Sequence, residues 1–226
     1  MTPDTCTKAS NDTVLLVEFT YYDSQTIALV GDGWDAEMNG NPTIKAVGTA
    51  YYGLTFRDNS YLSLKQQGTL DMQSFTIEVV AKSKSYSPQP YLSMKNSLWM
   101  PEIAEDGTIG FTLCVARATN AGCEDKWEIN GLHPPDGVDV AAGVHHYALS
   151  YDSTQRTVSL FVDGALVDTR KTPEDKPYIA TPPNNRIRVG GPTDSNKNIT
   201  VYTVRLSNRA KSAKDIITSR ICKMLL

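Results

Sequence analysis

Two groups of carboxylates are the first residues in this chain that could do chemistry: Glu102 with Glu105-Asp106, and Glu124-Asp125 with Glu128. A retaining glycoside hydrolase needs two carboxylates about 5–5.5 Å apart, most simply on alternate residues of one strand as Glu-x-Asp-x-Glu. Neither group has that spacing, and Asp106-Gly107 reads as a turn. Both groups are therefore expected to be solvated charge. Only three histidines occur, His133, His145 and His146. Adjacent residues of a strand point to opposite faces, so His145 and His146 cannot jointly hold a metal there, and the expectation is one hydrogen-bonded inner histidine and one at the surface. No serine or cysteine nucleophile stands beside them, and no Gly-x-Ser-x-Gly or Gly-Lys-Thr/Ser phosphate loop occurs. No catalytic residue is assigned.

Gly31-Asp32-Gly33-Trp34-Asp35-Ala36 has the spacing of a dinucleotide-binding turn. A helix would have to follow to receive a pyrophosphate, and Asn39-Gly40-Asn41-Pro42 breaks one, so the segment is read as a loop. Asp32, Asp35 and Asn39 offer hard oxygens there, a set that suits Ca²⁺, while the same residue types also suit a turn for backbone reasons alone. Trp34, Tyr51, Tyr52, Trp99 and Trp127 could stack on sugar rings wherever they are exposed.

Lys and Arg number 22 against 25 Asp and Glu in 226 residues, a net charge of −3, with no run of five like charges. That balance argues against a nucleic-acid or anionic-membrane footprint, which needs a basic stripe. No apolar stretch approaches the roughly 18–20 residues of a membrane span, and Val14-Leu15-Leu16-Val17 is too short for the core of a signal peptide. The reading is a soluble chain whose export signal is already removed. The four cysteines lack metal-ligand spacing, because no Cys-x-x-Cys occurs. Cys114 closes one strand-like run and Cys123 opens the next, which suits a disulfide across a hairpin base, and Cys6 with Cys222 would then join the two ends. Paired cysteines place the protein in an oxidising compartment, extracellular or periplasmic; four buried free thiols are the alternative. Asn11-Asp12-Thr13 and Asn198-Ile199-Thr200 are glycosylation sequons compatible with export.

Positioning any of these residues falls to β-strands. There are 23 Thr and 11 Tyr, and apolar residues alternate over short runs. The clearest runs are 14–21, 51–56, 61–64, 75–81, 109–115, 146–151, 157–162, 165–169, 187–189 and 199–206, with turns at Asp58-Asn59, Asp106-Gly107, Asp152-Ser153 and Asp163-Gly164. Phe75, Ile77 and Val79 share one face and Thr76 and Glu78 the other, the pattern of a strand covered on one side. Asp163-Gly164 supplies the positive φ angles of a two-residue hairpin. Helical spacing returns only at Ser212 to Leu226, where a terminal helix could pack on the sandwich. About a dozen strands in one chain, with no dividing linker, predict a single all-β domain over residues 1–226, an antiparallel two-sheet sandwich with a short C-terminal helix.

The order of several segments resembles a known family. Ser74-Phe75-Thr76-Ile77-Glu78-Val79-Val80-Ala81 resembles the fourth or fifth strand of laminin-G-like, concanavalin A-like jelly rolls, where an aromatic opens the strand. The stretches 53–62, 145–152 with 158–164, 187–191 and 204–210 match further segments of the same family in order, so the resemblance covers about residues 13–217. Val144 stands where that family often has Trp, and Tyr202-Thr203 replace its common acidic pair, which sets aside a carried-over metal site. The resemblance implies a jelly roll and a non-catalytic extracellular recognition module whose partner is a glycan or a surface protein, without nucleic acid or membrane insertion. A structural adhesion domain of a larger surface assembly, or a glycoside hydrolase of the same fold, are the alternatives. No cofactor is required, with Ca²⁺ possible at Asp32, Asp35 and Asn39. For glycan binding the expected rim is Trp34, Asp35, Asn39, Asp58 and Asn59.

Overall fold

A computed structural model describes residues 11–22, 24–47, 51–57, 59–68, 73–83, 90–94, 97–119, 121–180, 186–190 and 199–218. Along the chain run β1 (Thr13–Tyr22), β2 (Ser24–Val30), β3 (Trp34–Asn39), β4 (Thr43–Val47), β5 (Tyr51–Phe56), β6 (Tyr61–Gln66), β7 (Phe75–Ser83), β8 (Leu92–Met94) and β9 (Leu98–Ile103). They continue as β10 (Ile109–Ala116), β11 (Asp125–Leu132), β12 (His145–Asp152), β13 (Thr157–Val162), β14 (Ala165–Lys171), β15 (Tyr178–Ile179), β16 (Arg186–Val189), β17 (Ile199–Ser207) and the helix α1 (Ala213–Thr218). Every strand pairing is antiparallel. One sheet has nine strands, ordered β14-β13-β12-β7-β17-β1-β2 with β5 and β4 continuing from β17, and the other has eight, ordered β11-β10-β9-β8-β16-β6-β3 with β15 on β10. This is the expected sandwich, with more strands than the alternation revealed.

The alternation along each strand decides which side chains enter the core. Phe75, Ile77, Val79 and Ala81 of β7 meet Leu149, Tyr151, Leu160 and Val204 of the same sheet and Leu62, Leu64, Phe111, Leu113, Ile187 and Val189 of the opposite one, all buried. Tyr91 and Tyr147 pack edge to face in that core, with ring centroids 5.8 Å apart. The hairpin between β13 and β14 turns on Asp163 (φ 51°) and Gly164 (φ 82°), with Val162 opposite Ala165. Both positive φ angles are those the two-residue turn demands.

The two outer faces differ. On the nine-stranded sheet, residues 209–216 cross the outward side chains of β7, β12 and β13. Thr76 donates to the Arg209 carbonyl (2.9 Å), the Lys211 N–H donates to Ser150 (2.8 Å), and Ile216 packs on Ala148 and Phe161. Ser212 opens α1 as its cap, with its hydroxyl and N–H both turned to Asp215. Of the segment expected to be helical, only this turn and a half is described; residues 219–226, and Cys6 and Cys222 with them, lie outside the described residues. On the eight-stranded sheet the outer face carries exposed residues from edge to edge, and the candidate site lies there.

Candidate functional site on the outer face of the eight-stranded sheet

Register aligns one residue from each of seven strands into a single line. Glu37 of β3 stands opposite Ser63 of β6, Ser63 opposite Arg188 of β16, and Arg188 opposite Ser93 of β8. Ser93 stands opposite Trp99 of β9, Trp99 opposite Thr112 of β10, and Thr112 opposite Glu128 of β11. Each is flanked in its own strand by core residues such as Leu62, Leu64, Ile187, Val189, Leu98, Phe111, Leu113 and Ile129, so all seven point outward. Six strand-to-strand steps of about 4.8 Å make the line roughly 29 Å long. Small hydroxyls alternate with tall side chains along it: Ser63 (3 % exposed) and Thr112 (8 %) form a floor between Arg188, Trp99 and the two glutamates.

Trp99 is half-buried at the centre of one end. The Lys126 ammonium lies 5.3 Å from its ring centroid, and Cys114, Cys123, Ala116, Ala121 and Ala180 pack beside it. The Cys114–Cys123 disulfide is formed as expected and lies on this outer face, since its neighbours Leu113 and Val115 enter the core. It ties Cys123, with Ala121, to the Trp99 side of the row. Glu102 faces the same region from β9, opposite Gly110, while Glu128 stands on the far side of β10. A Cβ on Gly110 would come within 2.5 Å of the Asn130 Oδ1, so the glycine keeps the floor low between Glu102 and Asn130. Burial pushes the Glu102 carboxyl up, the Glu128 charge adds to the rise, and Lys126 opposes it. Glu102 is thus half-buried rather than the solvated charge expected, and Glu102 and Glu128, one member of each sequence group, flank β10 with their charges interacting.

At the other end the Arg188 guanidinium sits 4.1 Å over the Tyr61 ring, a stacked pair facing outward beside Ser63.

The rim expected from sequence does not assemble. Gly31–Gly33 is a turn, but Trp34–Asn39 is the edge strand β3 instead of a loop. Trp34 is in the core, 7 % exposed, and its Nε1 donates to the Val14 carbonyl (3.0 Å), so it offers no platform for stacking. Asp35 and Asn39 both face outward on β3, four residues apart, which separates them by about 13 Å. Calcium ligands lie about 2.3–2.6 Å from the ion, so these two cannot share one. Asp35 accepts from Gln67 Nε2 (3.1 Å), Asn39 donates to the Glu37 carbonyl, and Asp32 is an exposed turn residue whose carbonyl accepts from Gln66. Among the described residues no three His, Cys, Asp or Glu gather as a metal site. Asn59 is exposed in a tight turn (φ 59°) at the Asn39 end of β3, away from Asp35, and Asp58 lies outside the described residues. Tyr52 and Trp127 pack against the core.

Both neighbouring histidines are buried, which corrects the expectation that one is at the surface. His145 donates through Nδ1 to Asp163 (2.8 Å) and through Nε2 to the Asp139 carbonyl (2.9 Å). Both partners are acceptors, so the geometry favours the doubly protonated, charged ring. Burial alone would lower its pKa, but Asp163 and Asp139 outweigh that and raise it. His146 points to the opposite face and is buried there beside Glu78 (3.3 Å). Glu78 also binds Arg205 through both oxygens (2.5 Å each) and Lys211 (3.1 Å), all buried. This cluster is sealed and holds the C-terminal segment down.

The sequence pattern of the concanavalin A-like lectin/glucanases superfamily matches residues 56–217, more than two thirds of the chain. No curated protein matches it in sequence. Solved structures share the fold: the binding domain of botulinum neurotoxin DC in complex with SialylT (15% identity, TM-score 0.69, 92% of this chain and 50% of that one). The same binding domain in complex with rat synaptotagmin II gives 12% identity and a TM-score of 0.68 over 92% and 51% of the two chains. A structure of botulinum neurotoxin type C, whose cell entry depends on interaction with two ganglioside molecules, gives 13%, 0.67, 92% and 50%. The chain spans about half the length of these structures.

Proposed function

The chain belongs to the concanavalin A-like lectin/glucanases superfamily, and from that premise we propose that it is a non-catalytic recognition module, acting outside the cell or in the periplasm, that binds a glycan. The observation that carries the reading is the row Glu37-Ser63-Arg188-Ser93-Trp99-Thr112-Glu128. An indole ring, a guanidinium over a tyrosine ring, hydroxyls and carboxylates alternate along one sheet face, the mixture of apolar faces and hydrogen-bonding groups that a sugar chain presents in return. The Cys114–Cys123 bridge supports the oxidising compartment. Among the described residues no helix is long and apolar enough to cross a membrane. The similar structures, one in complex with SialylT, one with rat synaptotagmin II and one of a toxin whose cell entry depends on two ganglioside molecules, support a reading of glycan or protein recognition.

Binding on this face requires no calcium in our reading, since Asp35 and Asn39 stand too far apart to share an ion. The test is a glycan array with and without EDTA, repeated with Trp99→Ala. Sugar binding that survives EDTA and is lost in Trp99→Ala supports the proposal; no sugar signal in either condition moves the function to protein adhesion.

One observation favours a second reading. A raised carboxyl at Glu102 facing a second carboxylate at Glu128 is the couple an acid/base glycosidase uses. Polysaccharide turnover by the purified protein that disappears in Glu102→Gln and in Glu128→Gln would replace recognition with hydrolysis.

A further inference from the structure

Three cations share the β6–β16 end of the row. Lys65 and Arg186 stand directly opposite each other in the antiparallel register, and Arg188 follows two residues along on the same face. Their neighbours Leu64, Ile187 and Val189 are fully buried in the core, so all three basic side chains point outward. Like charges directly opposite on adjacent strands are destabilising. Among the described residues none of the three forms an ion pair. Asp35, across from Lys65 on β3, accepts from Gln67 instead. In a chain of net charge −3 this is a local reversal of sign; the exposed carboxylates of Asp35 and Glu37 border it on β3, but among the described residues neither is ion-paired to any of the three cations.

Resting on the glycan reading above, we propose that Lys65, Arg186 and Arg188 form an anion site that takes the carboxylate or sulfate groups of an acidic glycan lying along the row. The Arg188 guanidinium carbon lies 4.1 Å from the Tyr61 ring centroid, a contact that uses the face of the group, and a guanidinium's N–H edge can pair bidentately with a planar or tetrahedral anion. Arg186 and Lys65 supply the second and third charges, and an anion between them relieves their mutual repulsion. A lipid phosphate shares this charge chemistry, but among the described residues the large exposed apolar side chains Val30 and Leu166 lie on β2 and β14 of the other sheet, and none beside the site is placed to enter a bilayer.

The test is calorimetric titration of the whole chain with a heparin hexasaccharide, its desulfated counterpart, and phosphatidylserine vesicles, at two salt concentrations. The sulfated chain is expected to bind at least tenfold more tightly than the desulfated one and to weaken as salt rises. Arg186→Gln and Lys65→Gln should each lower that affinity about tenfold while keeping or raising thermal stability, a combination that a purely structural role would not produce. Arg188→Lys should lose affinity although it keeps the charge. Equal binding of sulfated and desulfated chains, or unchanged affinity in the Gln variants, overturns the anion site. In that case neutral-sugar binding that still depends on Trp99 leaves the glycan reading standing. Vesicle binding through the same residues without oligosaccharide binding overturns both.

Discussion

Replacing Glu78 by Gln removes the only carboxylate from a buried cluster that also holds Arg205, Lys211 and His146 among the described residues. The carboxylate has no exposed surface, and Arg205 and Lys211 are 2 % and 5 % exposed, so solvent cannot take over its role. Leaving a buried charge without its partner costs about 3–5 kcal/mol. In a domain of this size about 2–4 °C of melting temperature goes with each kcal/mol, so Glu78→Gln should melt about 6–20 °C lower. Burial alone would raise the Glu78 pKa, but contacts from His146 and Arg205 hold it well below the usual carboxylate range. A carboxylate depressed on folding contributes stability above its unfolded pKa and loses it only as pH falls through the lower folded value. The gap between wild type and Glu78→Gln should therefore be full at neutral pH, persist below pH 4, and close only in strong acid. Urea denaturation across that range measures it. A gap under about 1 kcal/mol at pH 7 would refute the cluster as the clamp on the C-terminal segment, because the cost of an orphaned buried charge is at least several-fold larger. Replacing Glu78, Arg205 and Lys211 together by apolar residues of similar size should recover much of the loss, since it leaves no uncompensated charge behind.

Asp163→Asn keeps a residue that tolerates the positive φ of the hairpin turn but removes the counter-ion of His145; the imidazole pKa, followed by NMR of its Cε1 proton, should fall. Because the raised pKa adds stability below about pH 6.5 that is lost as pH rises through the higher folded value, the wild type should weaken as pH rises above about 6.5 and the variant should do so less. Cys114→Ala with Cys123→Ala opens a short loop and should lower unfolding free energy by about 2–3 kcal/mol in a urea melt. Glu128→Gln should bring the Glu102 carboxyl back down toward its ordinary range, read by carbon-detected NMR titration; an unchanged Glu102 would mean that burial alone sets it. Gly110→Val fills the floor between Glu102 and Asn130 and should abolish sugar binding with the far-UV spectrum unchanged.

The strands β7, β12, β13 and β17 were legible because their alternation of apolar and polar residues survives in sequence, although the outer faces of β7, β12 and β17 are buried as well. Those that did not read this way fail for physical reasons. In β10 all eight residues are buried, because Cys114 and Ala116 on its outer side are covered by Trp99, Ala121 and Ala180. The edge strand β3 is the opposite case: Asp35, Ala36 and Glu37 are all exposed, and its Gly-rich approach looks like a loop. Trp34 shows how a residue type misleads. An aromatic among Asp and Gly suggests an exposed platform, yet its ring fills the core while its Nε1 reaches the Val14 carbonyl. The Cys114–Cys123 bridge could be anticipated because its ends flank one hairpin, a local relation. The candidate site could not, since its seven residues come from seven strands and become neighbours only through the register.

That register also explains how a chain without a basic run can carry a basic patch. A charge stripe in sequence is a property of one strand, where outward positions recur every second residue and are separated by core residues. A patch on a sheet is instead a property of adjacent strands, and Lys65 and Arg186 meet because Leu64 and Ile187 are paired in the core beneath them. The inner alternation thus fixes the outer chemistry: shifting β16 by one residue against β6 would bury Arg186 and Arg188 and expose Ile187 and Val189. The outer face of the nine-stranded sheet shows the other use of the same device. There the register brings Glu78 and Arg205 together, and residues 209–216 cover them, turning polar outward positions into a sealed joint. On the eight-stranded sheet no described segment crosses Ser63, Ser93 and Thr112 in this way, so the charges and rings beside them stay available to a ligand. The sheet that carries the covering segment is thereby the structural one, and the open sheet is the one on which substitutions should alter binding before they alter stability.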